Sequence, residues 1–316
     1  MIETIAEAGL PAGEALRIRK NRILPDALAK GEKPKRLSIV TGIHGDELEG
    51  QLVCFEVNRV IRENPGCLKG IVDIYPAMNP FGIDSITRGI PGYDLDMNRI
   101  FPGSSDGDMM EYIAHCIVED LAGSDAAMDI HASNIYLTEV PQIRINEIHR
   151  EKLVPLAERM NVDLIWVHAN ATVLEATLAY SLNSRNTPTL VVEMGVGMRI
   201  TRAYTDQLVR GIFSLMASMG MWTGPVGEVR KPVISDDPDD VMFLNAPCSG
   251  IWVKETEHDS LVKAGECLGR IIDPLAGQVL KEITAPEDGW LFTVREYPVV
   301  EEGSLIARIL KKCPER

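Results

Sequence analysis

Between residues 37 and 222, short apolar β-type runs alternate with segments of helical periodicity, and this alternation restricts the fold more than any other feature of the sequence. Residues 37–41 form the first run, and a helical pattern follows from about Glu47 to Arg62, with Leu48, Leu52, Phe55 and Val60 near one stripe. Residues 70–75 are a second run, residues 109–121 read as a helix, and residues 127–130 make a third strand ending at His131. Residues 140–145, 163–167 and 189–193 continue the strand series, and residues 201–219 form a long amphipathic helix. Such an order predicts an α/β sheet with helices on both faces.

The pattern changes after residues 224–240, a stretch rich in Pro, Gly and Asp that reads as a boundary. We therefore expect a first domain over residues 1–225 and a second over 226–316. The second part carries an internal repeat. Ala246-Pro-Cys-Ser-Gly250 recurs as Ala285-Pro-Glu-Asp-Gly289, and Val262-Lys-Ala-Gly-Glu266 recurs as Val300-Glu-Glu-Gly-Ser304 at nearly the same offset. Two copies of one β-unit predict a small pseudo-symmetric all-β barrel or sandwich.

The 316 residues suffice for one large domain with a generous core, or for one domain plus a smaller one. A formal net charge of −14 leaves no electrostatic footprint for nucleic acid or an anionic membrane. An anionic small molecule would have to be met by a few locally placed arginines. No leader pattern opens the sequence, and no run approaches the roughly 18 apolar residues of a membrane span. The six cysteines are scattered, without C-x-x-C. This argues against a disulfide framework and a cysteine-based zinc site, and for a cytoplasmic protein with reduced thiols.

The chemistry concentrates in Thr41-Gly-Ile-His-Gly-Asp-Glu-Leu-Glu49. His44 and Glu47 follow a strand directly and are flanked by glycines, at the strand-to-helix position where open α/β sheets bind ligands. An imidazole and a carboxylate are zinc ligands, and three protein ligands leave open the position that catalysis needs. His131, at the end of another strand, supplies a third. Asp129, two residues earlier, faces the same side of that strand and is placed to orient the imidazole. His115, His149, His168 and His258 lack such a context and are expected to be ordinary surface or core residues.

Together these residues resemble the succinylglutamate desuccinylase/aspartoacylase family, a branch of the zinc carboxypeptidase-like superfamily. G-x-H-G-x-E appears as Gly42–Glu47, D-x-N-R-x-F as Asp96–Phe101, D-x-H as Asp129–His131 and E-x-G as Glu193–Gly195, in the family's order. The resemblance covers nearly the whole chain, including the appended β-domain. It implies a mixed sheet of carboxypeptidase type, one zinc per chain on His44, Glu47 and His131, and Glu193 as general base and later proton donor. It implies that Arg88 polarises the scissile carbonyl and that Asn98 and Arg99 bind a substrate carboxylate. A family tyrosine that contacts substrate has Tyr180 as its nearest candidate. A further arginine about ten residues before the base has no clear match. Ser184 falls near it and Arg185 is adjacent, which leaves the second carboxylate contact open. The implied activity is hydrolysis of the amide bond of an N-acyl amino acid, by a protein that acts on a small molecule and is compatible with homo-oligomer formation.

Three competing patterns are weighed against this. Gly103-Ser-Ser-Asp-Gly107 matches G-x-S-x-G but lies in a loop, not between a buried strand and a helix, and is expected to be a turn. The repeated A-P-x-x-G units resemble halves of biotinyl or lipoyl carrier domains, yet Lys281 in Val-Leu-Lys-Glu lacks a carrier lysine's surroundings. A lid or assembly module is the preferred reading of the β-domain. A metallocarboxypeptidase acting on small peptides stays open as an alternative.

Overall fold

The computed structural model describes residues 1–26, 33–169 and 171–314, without the side chain of residue 173. Its strands are β1 (Ile2–Gly9), β2 (Ala15–Ile23), β3 (Arg36–Thr41), β4 (Ile71–Tyr75), β5 (Ala126–His131), β6 (Leu137–Asn146), β7 (Leu164–His168), β8 (Thr189–Gly195), β9 (Val233–Ser235), β10 (Val241–Asn245), β11 (Gly250–Lys254), β12 (Ser260–Val262), β13 (Cys267–Asp273), β14 (Gln278–Thr284), β15 (Gly289–Arg295), β16 (Val299–Val300) and β17 (Leu305–Leu310). The helices are α1 (Glu49–Glu63), α2 (Pro80–Ser85), α3 (Met109–Leu121), α4 (Arg150–Ala157), α5 (Leu178–Ser184) and α6 (Arg202–Ser218). None is long and apolar enough to cross a membrane.

The large sheet is mixed. Its strands run in the order β1-β2-β4-β3-β5-β8-β6-β15-β17-β10, with β7 and β12 branching off and β9 pairing with β7. β4, β3, β5 and β8 are parallel neighbours, whereas β6 runs antiparallel to β8. Helices cover both faces, as the alternation predicts. On one face Ile39 packs with Val53, Val57 and Ile61 of α1 and Leu208 and Ile212 of α6. On the other, the next residue, Val40, packs with Ile113, Ile117 and Leu121 of α3 and Leu178 of α5. This is the two-residue period of a strand buried on both sides. Each fully buried Ile, Leu or Val contributes roughly 1.5–3 kcal/mol.

The structure changes several details. The buried face of α1 is Val53, Cys54, Val57 and Ile61, while Phe55 points outward, 55% exposed. Both residue sets have helical spacing, and only the position of the sheet decides which turns inward. The alternation also begins earlier than residue 37, because the hairpin β1–β2 adds to the sheet beside β4. The Pro/Gly/Asp-rich stretch contains β9, which pairs with β7.

Residues after β9 divide between two sheets. β10, β12, β15 and β17 extend the large sheet through pairing of β15 with β6, and β14, β13, β11 and β16 form an antiparallel sheet of four strands. Residues of both sheets share one core, including Trp252, Leu268 and Ile271 with Leu291, Val294 and Ile306. The repeat is visible in the hydrogen bonds. Ala246 N donates to Ser304 O and Gly303 N to Ala246 O, both at 2.8 Å. In the other copy Ala285 N donates to Glu266 O at 2.9 Å and Gly265 N to Ala285 O at 2.8 Å. Each A-P-x-x-G segment thus bonds to the other copy's turn. Lys281 lies inside β14 opposite Ile271, away from the hairpin tip where a carrier lysine would stand.

Candidate functional site

β3, β5 and β8 are adjacent and parallel, so their carboxyl ends meet at one edge, where open α/β sheets bind ligands. In the register, Thr41 faces Ile130 and His131 faces Glu193. Parallel pairing therefore brings together residues that are far apart in the chain.

The loop from β3 to α1 is shaped by two glycines. Gly42 has φ +73, and a Cβ there would meet Pro76 O at 2.8 Å. Gly45 packs directly on the backbone of α2, where an added Cβ would stand 1.9 Å from Gly82 C. Gly45 N also donates to Arg88 O at 3.3 Å. The contact that folds the ligand loop thus also seats the segment carrying Arg88.

His44, Glu47 and His131 are buried, and one ligand atom from each lies within 4.8 Å of the others. Glu47 sits between the imidazoles, with Oε1 at 3.0 Å from His44 Nδ1 and Oε2 accepting from His131 Nδ1 at 2.9 Å. Each ring turns its Nε2 toward another carboxylate, His44 to Asp96 Oδ1 and His131 to Asp129 Oδ2, both at 3.0 Å. A carboxylate hydrogen-bonded behind a ligating histidine fixes the ring and its tautomer, as Asp96 does for His44; Asp129 stands beside His131 as a close charged neighbour without an in-line hydrogen bond. His44 Nδ1 is buried without an in-line hydrogen-bond partner. A buried polar atom of that kind needs an explanation, and a cation between the two rings and Glu47 would provide one. A donor set of two imidazoles and one carboxylate suits zinc.

Electrostatics follow from this packing. Burial alone would raise the pKa of Glu47, but its bonds to His131 and His44 outweigh it and hold the carboxyl well below the ordinary range. Glu193 goes the other way. Burial pushes it up, opposed by Arg144 and His131.

A cavity of about 260 Å³ opens in front of these residues. Arg88, Asn98, Arg99, Tyr180 and Glu193 line it together with the three metal-ligand candidates. Arg88 Nη1 donates to Glu47 Oε1 at 2.6 Å. Asn98 Oδ1 accepts from Leu178 N at 3.0 Å, tying this loop to the start of α5, the helix that carries Tyr180. Arg99 donates to the backbone oxygen of Asn98 at 2.8 Å and has no carboxylate partner among the described residues. Its charge is thus left for a ligand. Arg185 is not brought to the cavity; its guanidinium pairs with Glu119 at 2.7 Å on the protein surface.

Several lining residues carry no sequence motif. His149 and His168 also line the cavity, a position that their sequence context does not indicate. Burial lowers the pKa of both, which favours the uncharged ring. Arg144 and Arg308 line it as well, and Arg144 Nη1 lies 3.4 Å from Glu193 Oε1. Periodicity could not find them, because β6 and β17 reach the site only through sheet pairing. Residues 103–107 form turns ahead of α3, whose own start is an Asp108–Glu111 capping box.

Comparison with known proteins identifies the family and the fold. Residues 33–219 match the model of the succinylglutamate desuccinylase/aspartoacylase catalytic domain. The N-alpha-acetyl-L-2,4-diaminobutyric acid deacetylase of Halomonas elongata is 26% identical over 285 residues, covering 88% of this chain and 78% of that protein. A succinylglutamate desuccinylase/aspartoacylase structure from Rhodobacter sphaeroides superposes with a TM-score of 0.81 at 22% identity, over 99% of this chain and 96% of that one. The product-bound ectoine utilization protein EutE (DoeB) of Ruegeria pomeroyi gives 0.79 at 19% identity, over 97% and 93%. With the matched segment spanning more than half of its length, this chain belongs to the succinylglutamate desuccinylase/aspartoacylase family.

Proposed function

We propose that this protein is a zinc-dependent hydrolase that cleaves the amide bond of an N-acyl amino acid. The observation that carries the reading is the meeting of His44, Glu47 and His131 with Glu193, Arg88 and Arg99 around one small cavity. The name of the Halomonas elongata relative, a deacetylase of an acylated amino acid, points the same way.

In this reading His44, Glu47 and His131 would hold one zinc ion, with Asp96 hydrogen-bonded behind His44 and Asp129 a charged neighbour behind His131. Zinc bound there supplies Lewis acidity, polarising a carbonyl oxygen and making water acidic near neutral pH. Glu193 takes the proton of the attacking water and returns it to the leaving amine nitrogen. Arg88 offers its guanidinium to the oxyanion that develops on the scissile carbonyl, usually the largest catalytic contribution. Arg99 and Asn98 hold the substrate carboxylate, for which a planar guanidinium is suited. Tyr180 closes that side of the cavity. A few arginines at the base of a cleft thus let an acidic protein receive an anionic substrate. Residues 1–225 form the catalytic domain and 226–316 the β-domain beside it. The modest cavity favours a small amide over a peptide that must run through an open cleft.

The test is a panel of N-acetyl, N-succinyl and other N-acyl amino acids, N-acetyl-2,4-diaminobutyrate included, assayed for free amine with the zinc-loaded protein. Release from at least one of them, with small peptides uncut, is the expected result. Hydrolysis of peptides alone would favour a metallocarboxypeptidase, and no hydrolysis at all would refute the reading. An intact mass free of any lipoyl or biotinyl adduct is expected; an adduct would favour a carrier.

A further inference from the structure

Beside Glu193 lies a second charged cluster whose parts come from the middle and the C-terminal part of the chain. Glu139 of β6 is fully buried, and Arg144 Nη2 donates to its two oxygens at 2.9 and 2.8 Å. Arg308 of β17 donates to Glu139 Oε1 as well, and Thr293 of β15 adds its hydroxyl at 3.1 Å. The two guanidiniums pack on the ring of Trp166, with Cζ 5.6 Å from its centroid for Arg144 and 5.5 Å for Arg308. Two partly buried cations against one buried carboxylate leave one positive charge uncompensated, an unfavourable arrangement unless another anion is near. Glu193 is that anion, with Oε1 3.4 Å from the remaining amino group of Arg144.

We infer that Arg308, Glu139 and Arg144 form a positioning relay through which the C-terminal strands hold the Glu193 carboxylate in its reactive orientation. A glutamate side chain has three rotatable bonds, and the sheet fixes only its Cα. Glu139 takes its own place from β6, β15 and β17 at once, so Arg144 is clamped and presents one amino group to Glu193. Arg144, Glu139 and Arg308 touch no reacting atom in this scheme. The C-terminal strands thus become part of the working site and are more than a cover over it. The inference rests on the reading of Glu193 as the base.

The experiment uses the full-length, zinc-loaded protein and the N-acyl amino acid of the panel that it hydrolyses fastest. R308Q should lower kcat roughly 10- to 100-fold, since misplacing a catalytic group by about 1 Å costs about 10²-fold. KM should stay within about twofold and bound zinc should be unchanged, because neither substrate carboxylate nor metal is touched. R308K should recover part of the loss. R144Q should lose as much as R308Q, and the double variant should lose no more than either, as members of one relay do. A raised KM with unchanged kcat would overturn the inference in favour of direct substrate contact. Multiplying losses, or unchanged kinetics, would also overturn it. If R308Q fails to fold, T293V removes one bond to Glu139 and should cost kcat about threefold; an unchanged kcat there would refute the relay. E193Q separates the two readings. Full activity of E193Q would remove the base itself, whereas a dead E193Q beside an unaffected R308Q would remove only the relay.

Discussion

Loading the metal-stripped protein with zinc should raise its melting temperature, and His44→Ala should abolish most of that rise. The three donors sit in a pocket that only the folded chain assembles, on β3–α1 and β5, so zinc binds the native state far better than the unfolded one. With free zinc at a thousand times its dissociation constant the gain is about 4 kcal/mol. At roughly 2 °C per kcal/mol for a chain of this size, the melt should move up by about 8 °C. The stripped protein should still unfold cooperatively. Its main cores, one around Ile39, Val57 and Leu208 and one around Val40, Ile113 and Leu178, contain none of the ligands. Glu47 is also held by His131, Arg88 and Ala132 N. The assay is scanning calorimetry of wild type and His44→Ala, each with chelator and with a zinc titration. The zinc-induced increments are compared, because removing a buried imidazole shifts the baseline by itself. A wild-type melt indifferent to zinc, or an equal increment in His44→Ala, would refute the three-ligand site.

Other outcomes follow from single contacts. Gly45→Ala should cost about 3 kcal/mol or more and lower activity, because its methyl would enter the backbone of Gly82 and push away the Arg88 segment; wild-type stability in urea would contradict this. Arg99→Gln should raise KM about tenfold or more with a smaller effect on kcat, as loss of a charged hydrogen bond does. Arg185→Ala should leave both constants within about twofold, since Arg185 pairs with the half-exposed Glu119 away from the cavity; the reverse order of effects would reassign the carboxylate contact. Burial tends to raise the pKa of Glu139, but Arg144 and Arg308 prevail and hold it below the ordinary value. Its contribution to stability is therefore complete above the unfolded-state pKa, near 4.3, and is lost as pH falls through the lower folded-state value. Glu139→Gln, with nothing to titrate there, should show a shallower loss of stability in acid; equal acid limbs in denaturant melts would exclude that role.

The parts of this protein that were legible beforehand are those encoded locally. Strands buried on both faces read as apolar runs at residues 37–41, 127–130 and 189–193, and the glycine-flanked His44 and Glu47 stand beside one another in sequence. A loop of that composition can only turn sharply and present its donors. The hairpin β1–β2 is not legible in this way, because charge interrupts its apolar pattern. Lys20 is buried there, and reads as polar until Asp120 on α3 is seen to pair with it at 2.8 Å.

What tertiary structure alone decided is which distant residues share a space. The order of β3, β5 and β8 sets His131 opposite Glu193, and no periodicity reports strand order. Pairing of β6 with β15 brings Arg308 to Arg144 and Glu139, whose chemistry cannot be guessed while each is seen as one more charged residue on a strand. His149, His168 and Arg144 gained their place at the cavity in the same way, and Arg185 was turned away from it to Glu119. Sequence by itself determined the metal-ligand candidates, the alternation of strands and helices, and the repeat near the C-terminus, since each rests on residue type and short-range spacing. The second charged cluster, the face that α1 buries and the reach of the C-terminal strands into the cavity depend on long-range pairing, which is settled only when the whole sheet forms.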